Sequence, residues 1–439
     1  MILVHLSSFD DLVACPAVGR SAGLVQNQAH HLLRAPTMHL PAFASAVPSP
    51  VFRDRKRWGW LLSVVAPGLA TIGPLAHTLG AASLWWFAVP LVFFYAALPL
   101  ADGLLGEDRT NPPESQVPTL EADGYYRAIL YATVPVLWVS VLFNLIFLAS
   151  HPLPWPAWVA TVLSTGAVLG FGLNLSHELG HKGTTLARKV ALFNTALGGY
   201  GHFSIEHNRG HHRDVATPQD PASSRMGETI WTFVFREMPG AFRRAWRLER
   251  DRMRVDGQAF WSWHNEILQP ALITVLLWGA LSLWLGIGVL WFLVPAALWS
   301  NFQLTSANYI EHYGLLRQKN AQGRYETCKP QHSWNSNHVF SNWATFHLQR
   351  HSDHHAHPLR RFQSLRHFEE APQLPNGYFG MFPLAYVPPL WFAVMDKRLL
   401  AAVNRDPSRI NFHPSQRARL MAKHGLATSC SRDGSPVVS

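Results

Sequence analysis

Cysteine is scarce. The 439 residues hold three, Cys15, Cys328 and Cys430, too few and too far apart for a disulfide framework, a thiolate zinc site or a C-x-x-C redox module. Any electron-transfer iron must therefore be brought by another protein. Charge is scarce as well: Asp, Glu, Lys and Arg make up 15% of the chain, while aromatic residues make up 12% and include 18 tryptophans. A disordered polar chain and a highly charged surface protein are both excluded by that balance. What charge there is leans to one sign, with 37 basic against 27 acidic residues and a net +10, and no nucleic-acid partner is expected from it. It is also absent from long stretches: Asp102 is the only charged residue between Arg57 and Glu107, and none lies between Arg127 and Glu178.

Read in windows of about 19 residues, the charge-free stretches resolve into membrane spans. Six are expected, at 58–79, 83–100, 128–150, 158–176, 267–285 and 289–309, each near the roughly 20 residues a helix needs to cross about 30 Å of hydrocarbon. Basic residues orient them. Arg53, Arg55, Lys56 and Arg57 precede the first span, whereas the links near Gly80, Pro154 and Gly286 carry no Lys or Arg and should face outward. Arg109, Arg127, Lys182, Arg188, Lys189, the stretch 236–254 and everything after Arg317 then face the cytoplasm, with both termini. Asp10 and Asp11 interrupt any signal sequence, so neither cleavage nor lipid attachment is expected, and Met38 is an alternative start. Residues 1–52 are read as a mobile arm, 53–421 as the membrane domain with a cytoplasmic cap, and 422–439 as a disordered tail.

Against this background stand 24 histidines. Four segments place them where spans meet the cytoplasm: His177 and His181 after the fourth span; His207, His211 and His212 some 25 residues on; His312 after the sixth; and His351, His354 and His355 beyond it. His177 and His181, His207 and His211, and His351 and His355 each stand four apart, so on a helix each pair projects two imidazoles from one face. The adjacent His212 and His354 point about 100° away and can reach a second point. These nine candidate ligands exceed what one ion takes and suit two, and imidazole alone does not select among Fe, Zn, Cu and Ni. Glu178, Glu206, Glu311 and Asp353 each adjoin a histidine in sequence. Such neighbours do not face each other on a helix, so each acid is expected to orient a histidine of another segment.

Blander readings compete. His177 to His181 matches the H-E-x-x-H of zinc proteases, but three further histidine segments on one membrane face argue against it. A metal transporter would need ionisable groups deep in the spans, where only His77 and Asp102 occur, near span ends. His30, His31, His39, His413 and His424 read as solvated, and His202, His332, His338 and His357 as packing or supporting residues. His347 is harder to place, because it would extend the His351 and His355 face by one turn.

At these residues the chain closely resembles the bacterial integral-membrane alkane 1-monooxygenases, a family within the histidine-box membrane proteins that also include xylene monooxygenases and fatty-acyl desaturases. The resemblance runs from about 58 to 395. It rests on the four histidine segments, on Asn111-Pro-Pro, on Trp334-Asn-Ser-Asn-His338, on Gln373-Leu-Pro-Asn-Gly-Tyr378, and above all on Asn308-Tyr-Ile-Glu-His-Tyr-Gly-Leu315, which separates the alkane hydroxylases from the desaturases. It implies an all-helical six-span protein with a dimetal site in its cap, two non-haem irons with no haem or flavin, and terminal hydroxylation of medium- to long-chain n-alkanes with O2. Electrons would come from rubredoxin and an NADH-dependent rubredoxin reductase, in the cytoplasmic (inner) membrane. The irons would be held by His177, His181, His207, His211, His212, His312, His351, His354 and His355. Aromatic methyl groups and acyl chains, hydroxylated or desaturated, are the alternative substrates.

An alkane offers no polar handle, so selectivity must come from shape and apolar burial, worth about 0.8 kcal/mol per methylene. Bulky residues of the second span, Trp85, Trp86, Phe93, Phe94 and Tyr95, are candidate length stops, with Phe94 first because the related enzymes carry a bulky gate at its position. The arginines at 236, 243, 244, 247, 250, 252 and 254, with Arg360, Arg361 and Arg366, offer a docking surface for an acidic electron carrier.

Overall fold

The structure, a computed structural model, describes residues 52, 54, 56–181 and 184–426. Arg53, Arg55, Lys182, Met38, the three histidines at 30, 31 and 39, most of the expected mobile arm, and the tail from 427 onward lie outside the described residues. Residues 422–424, placed in the tail by sequence, close a helix, Arg417–His424.

No strand occurs among the described residues; five isolated bridges tie loops of the cap. Among the described residues, six helices are long and apolar enough to cross a membrane: Arg57–Thr78, Trp85–Leu105, Gly124–Ser150, Trp155–Gly180, Leu268–Leu285 and Ile287–His312. They match the six expected spans, and the second, third, fourth and sixth run several residues further toward the cap. The extra turns of the fourth and sixth spans carry His177, Glu311 and His312. The chain is thus a multi-pass membrane protein, and tryptophans mark the two levels. Trp85, Trp155, Trp284 and Trp291 are exposed at the ends of spans far from the cap, and Trp58, Trp261 and Trp263 are exposed on the cap side, as aromatic belts require.

The fourth span is the centre of the bundle: 83% of its apolar stretch is buried, against 11% for the fifth. Its sequence explains this, because small residues let neighbours approach. A Cβ on Gly166 would lie 2.7 Å from the carbonyl oxygen of Ala296 on the sixth span, and one on Gly172 would lie 2.9 Å from Leu137 on the third. Polar contacts add to the packing: the Asn144 side chain donates to Thr165 at 2.9 Å and to the Ala70 carbonyl at 3.2 Å, joining the third, fourth and first spans. Asp102, the one acid in the first two spans, is fully buried and accepts from the backbone of Phe340 and Ser341. It fastens the second span to the cap helix Val339–Ala344.

The cap is completed by two longer helices, Thr185–Leu197 and Ile230–Val255, by the short helix His351–Ala356, and by Tyr378–Tyr386 and Pro388–Ala402.

Candidate metal centre

The fourth and sixth spans deliver His177 and His312 to one level, and the cap closes over them. All nine candidate ligands come together, in two adjoining groups. His177, His181, His207, His212 and His354 form one, and His211, His312, His351 and His355 the other, with the ligand atoms of each within 4.8 Å of one another. The groups touch: the rings of His212 and His355 are 4.5 Å apart.

This division departs from the expected pairing. His207 and His211 stand four apart but fall in different groups, because Glu206–His211 is a π-helical turn in which the His212 N–H reaches back to the His207 carbonyl. A wider turn aligns residues five apart, so His207 meets His212, with their Nε2 atoms 3.0 Å apart, while His211 swings to the other group. The insertion of one residue into a helical turn is a recurrent device at functional sites.

Within each group the ring nitrogens converge. The Nε2 of His354 lies 2.8 Å from that of His177 and 3.1 Å from that of His212. The Nε2 of His355 lies 3.1 Å from that of His211 and 2.8 Å from that of His351, which stands 3.3 Å from that of His312. Chains of three or more imidazole nitrogens at such spacing cannot be satisfied by their own protons, since each N–H serves one acceptor. They do match neighbouring donors on a coordination shell: nitrogens about 2.1 Å from one ion at right angles lie about 3 Å apart. Burial, reinforced by the neighbouring imidazoles, holds His207, His351, His354 and His355 well below the usual histidine range. Burial thus favours their neutral form, the one that ligates a metal. The residues present fit two metal ions.

The four acids fare unequally. Glu311 does contact a histidine of another segment, but its Oε2 lies 3.2 Å from the Nε2 of His351, so it stands among the converging nitrogens and not behind them. Its carboxylate is buried, with the Tyr378 hydroxyl beside it. Glu206 pairs with the Arg244 guanidinium. Asp353 points to the outer side of its short helix, to His357 at 2.8 Å and Arg366 at 2.9 Å, and Glu178 accepts from the Phe362 N–H at 3.3 Å. For Glu206 and Asp353, the expected contact with a ligand of another segment is replaced by ties that hold the cap together.

The acid that does support a ligand from behind is one the sequence did not single out. Asp220 is buried and accepts from the Nδ1 of His211 at 2.9 Å, from Arg244 at 2.7 Å and from Ser223 at 2.7 Å. Burial opposes its charge, but His211 and Arg244 outweigh burial and hold the carboxyl far below its usual range. Arg244 thereby links Asp220, behind His211, to Glu206, the neighbour of His207 in sequence. The only trace in sequence is an Asp inside Pro218-Gln-Asp-Pro221, a turn signal with no histidine beside it.

His347 is not a ligand. The helix begins at His351, and Phe346 and His347 have φ of 54° and 53° in the turn before it, so the face is not extended. Its Nδ1 contacts the Phe362 carbonyl at 2.8 Å, and its ring packs edge-on against Trp60. His338 contacts Ser336, His332 contacts Glu326, and His202 packs against Phe242. His424 faces Asp396 at 3.5 Å.

A small cavity lined by Asn174, His177, His207, Asn308, Glu311 and His351 opens on both histidine groups. It shares Asn174, Leu304, Ala307 and Leu348 with a second, apolar cavity of about 60 Å³ that descends between the fourth and sixth spans past Phe171, Phe379 and Phe382 to Ala167. Ala167 is ten residues below His177, about 15 Å along the helix. Phe94 is fully buried behind this cavity, its ring 5.4 Å from Phe171 and 5.7 Å from Phe379. It sits on a π-helical turn, Phe93–Ala97. Phe93 packs edge-on against Phe94 and does not line the cavity. Trp86 and Trp85 are 44% and 80% exposed; they face outward near the start of their span, so neither is a length stop.

The expected docking surface is also thinned. Arg244 is buried, Arg236 pairs with Glu228, Arg252 with Glu249, and Arg360 and Arg366 with Glu114. By contrast Arg188 and Lys189 are exposed on a cleft that adjoins the first histidine group through Gly180 and Asn208.

Residues 152–385 match the fatty acid desaturase family model. The chain is 50% identical over 380 residues to alkane 1-monooxygenase 1 of Alcanivorax borkumensis, covering 87% of this chain and 94% of that protein. To the alkane 1-monooxygenase of Ectopseudomonas oleovorans it is 48% identical over 87% of this chain and 95% of the relative. The xylene/toluene monooxygenase hydroxylase component of Pseudomonas putida is 30% identical over 58% of this chain and 66% of its own length.

Proposed function

Because the chain belongs to the alkane 1-monooxygenase family, we propose that its nine clustered histidines hold two iron ions with which it hydroxylates the terminal methyl of n-alkanes at the cytoplasmic face of the inner membrane. The chain is a membrane alkane hydroxylase, an oxidoreductase. Neither an aromatic methyl group nor an acyl chain is favoured as substrate, since the alkane enzymes match at 48–50% over nearly their whole length and the xylene enzyme at 30% over two-thirds of its own. The observation that carries the metal reading is the convergence of nine buried or half-buried imidazoles into groups of five and four. Histidine ligation excludes neither zinc nor copper, and iron is the choice that suits oxygenase chemistry.

Iron, when bound, supplies the activation of O2 with electrons from a carrier, one oxygen atom entering the terminal C–H bond and the other leaving as water. The chain's own residues do the rest. The apolar walls at Phe171, Leu304, Phe379 and Phe382 strip water from the alkane and bind it through burial alone. His177, His207 and His351 line the upper cavity, so the end of a chain lying in the lower one is delivered between the two groups. Exclusion of water from this narrow path limits side reactions of the oxidant. At that end Glu311 is placed to accept and pass protons, and Asn174 and Asn308 to meet the new hydroxyl. Rubredoxin, reduced by an NADH-dependent reductase, is the proposed donor. The exposed Arg188 and Lys189 cleft beside the first histidine group suits an acidic carrier.

Purified protein supplied with NADH, rubredoxin, its reductase and a mixed series of n-alkanes is expected to give 1-alkanols by gas chromatography, with two irons per chain by metal analysis. Iron without alkanol formation would leave the site and remove the donor system or the conditions of assay from the reading; zinc or copper in place of iron would remove iron.

Phe94 is proposed as the length stop acting through the rings it supports. Phe94→Ala is expected to let Phe171 and Phe379 relax away from the cavity and move the preferred substrate toward longer alkanes. It also costs stability, about 3–5 kcal/mol for a buried phenylalanine, so Phe94→Leu, which keeps most of the volume, serves as the companion. An unchanged chain-length profile in both variants would remove Phe94 from this role.

A further inference from the structure

The helix Ile230–Val255 does not rest on top of the cap. Trp231 stacks on Phe302 with ring centres 5.7 Å apart, Met238 and Leu304 pack on the same cluster of Leu173, Tyr200 and Phe203, and Glu237 accepts from Thr305 at 2.8 Å and Asn308 at 3.2 Å. Phe302 lies ten residues before the end of the sixth span, about 15 Å into it. The helix therefore starts at the depth of the bilayer and climbs along the flank of the bundle, until Arg244 reaches Glu206 and Asp220 in the cap.

Its outward face fits that path. Trp231, Phe235 and Phe242 are 48%, 83% and 44% exposed and lie on one side, at spacings of four and seven residues that repeat on a helix face. Trp246 continues the stripe one turn on and packs against Phe260 and Trp261, in the segment where Trp261 and Trp263 form part of the cap-side belt. Beside the stripe, at the belt's level, Arg243 and Arg247 are exposed and form no ion pair among the described residues, unlike Arg236, Arg244 and Arg252 on the same helix. With Phe242 and Trp246 they line a shallow concavity of about 630 Å³.

We infer that this helix is seated in the cap-side leaflet and that Arg243, Arg247, Phe242 and Trp246 bind the headgroup of an anionic phospholipid. The arginines meet its phosphate and negative charge, as basic residues do at such a surface, and the aromatic rings lie against its glycerol and upper acyl chains. An acidic protein is the poorer fit, because the exposed aromatic stripe below the arginines continues down to the level of the lipid. The electron carrier, moreover, has its own basic cleft at Arg188 and Lys189. The site places a lipid against the helix that carries Arg244, the partner of Glu206 and Asp220.

The full-length protein in detergent, titrated with phosphatidylglycerol, is expected to retain a bound phosphatidylglycerol in native mass spectra and to gain several degrees in thermal midpoint, where phosphatidylcholine gives neither. Arg243→Gln with Arg247→Gln should abolish the selectivity while leaving the midpoint in phosphatidylcholine and the metal content unchanged; Arg243→Lys with Arg247→Lys should keep part of it. Equal response of wild type to the two lipids would overturn the inference, and so would a selectivity that survives the double glutamine variant. An equal gain from inorganic phosphate would reduce the site to a bare anion site and overturn it too. A raised KM for reduced rubredoxin in the glutamine variant, with lipid retention intact, would assign the surface to the carrier.

Discussion

His312→Ala is expected to leave the protein with one metal ion in place of two and to cut alkane hydroxylation by more than about 100-fold, beyond the 10–100-fold typical of losing a ligand's supporting partner. His312 is fully buried at the end of the sixth span and belongs to the group of four, so its loss leaves three nitrogens where the neighbouring group has five. The same reasoning predicts an asymmetry. His181→Ala leaves four histidines in its group, and the variant should still bind two ions when iron is plentiful, losing one to a chelator that does not strip the wild type. Metal analysis before and after chelation reads both variants, and His413→Ala, remote from both groups, should match the wild type. Two tightly held ions in His312→Ala, or identical behaviour of His181→Ala and His312→Ala, would contradict the five-and-four division.

Asp220→Asn is expected to weaken metal binding and to lower activity by about 10–100-fold. The oxygen of the substituted amide can still accept from the Nδ1 of His211, so the tautomer survives, but the negative charge that raises the basicity of His211 is gone. The amide also places a donor where Arg244 now meets a carboxylate oxygen. Chelator competition measures the affinity, and the melting of the metal-free protein separates a positioning role from a purely structural one: the first should change far more than the second. Ser223→Ala removes the hydroxyl bond to Asp220 and the acceptor of the Ala216 N–H but leaves the Asp220 charge and its contact with His211 in place, so it should cost metal affinity much less. If Asp220→Asn bound metal as the wild type does, the His211 to Asp220 contact would be a cap tie like that of Asp353 and His357.

Much of the molecule is legible in the chain alone. Apolar runs of about 20 residues have one stable answer in a bilayer, because a helix satisfies its own backbone, so the six spans follow from hydropathy within a few residues. Histidines clustered at span ends on one face likewise point to a common site. The pairing of those histidines is another matter. An ordinary helix puts His207 with His211, and nothing local in Glu206-His-Asn-Arg-Gly-His-His announces a π-helical turn; that turn is held by the cap, where Gly210 has no room for a side chain beside Arg244. Spacing makes the His351 face look a turn longer than it is, because it cannot reveal where a helix starts, and the left-handed backbone at Phe346 and His347 ends that face before His347. Proximity in sequence singles out four acids, whereas support from behind a ring depends on direction. Asp220 has it and Asp353 does not. Trp86 shares the bulk expected of a length stop, yet the rotation of its helix turns it outward.

The sequence by itself determined the membrane, the side on which the site gathers, the residues that compose it and the class of chemistry they suit, since hydropathy and residue type are properties each segment carries alone. Only the tertiary structure decided which imidazoles gather in one group, which carboxylate stands behind His211, which aromatic rings wall the apolar path and which arginines remain exposed. Each of those is a relation between segments distant in the chain or a matter of one residue's rotation about a helix, and neither is written in local spacing.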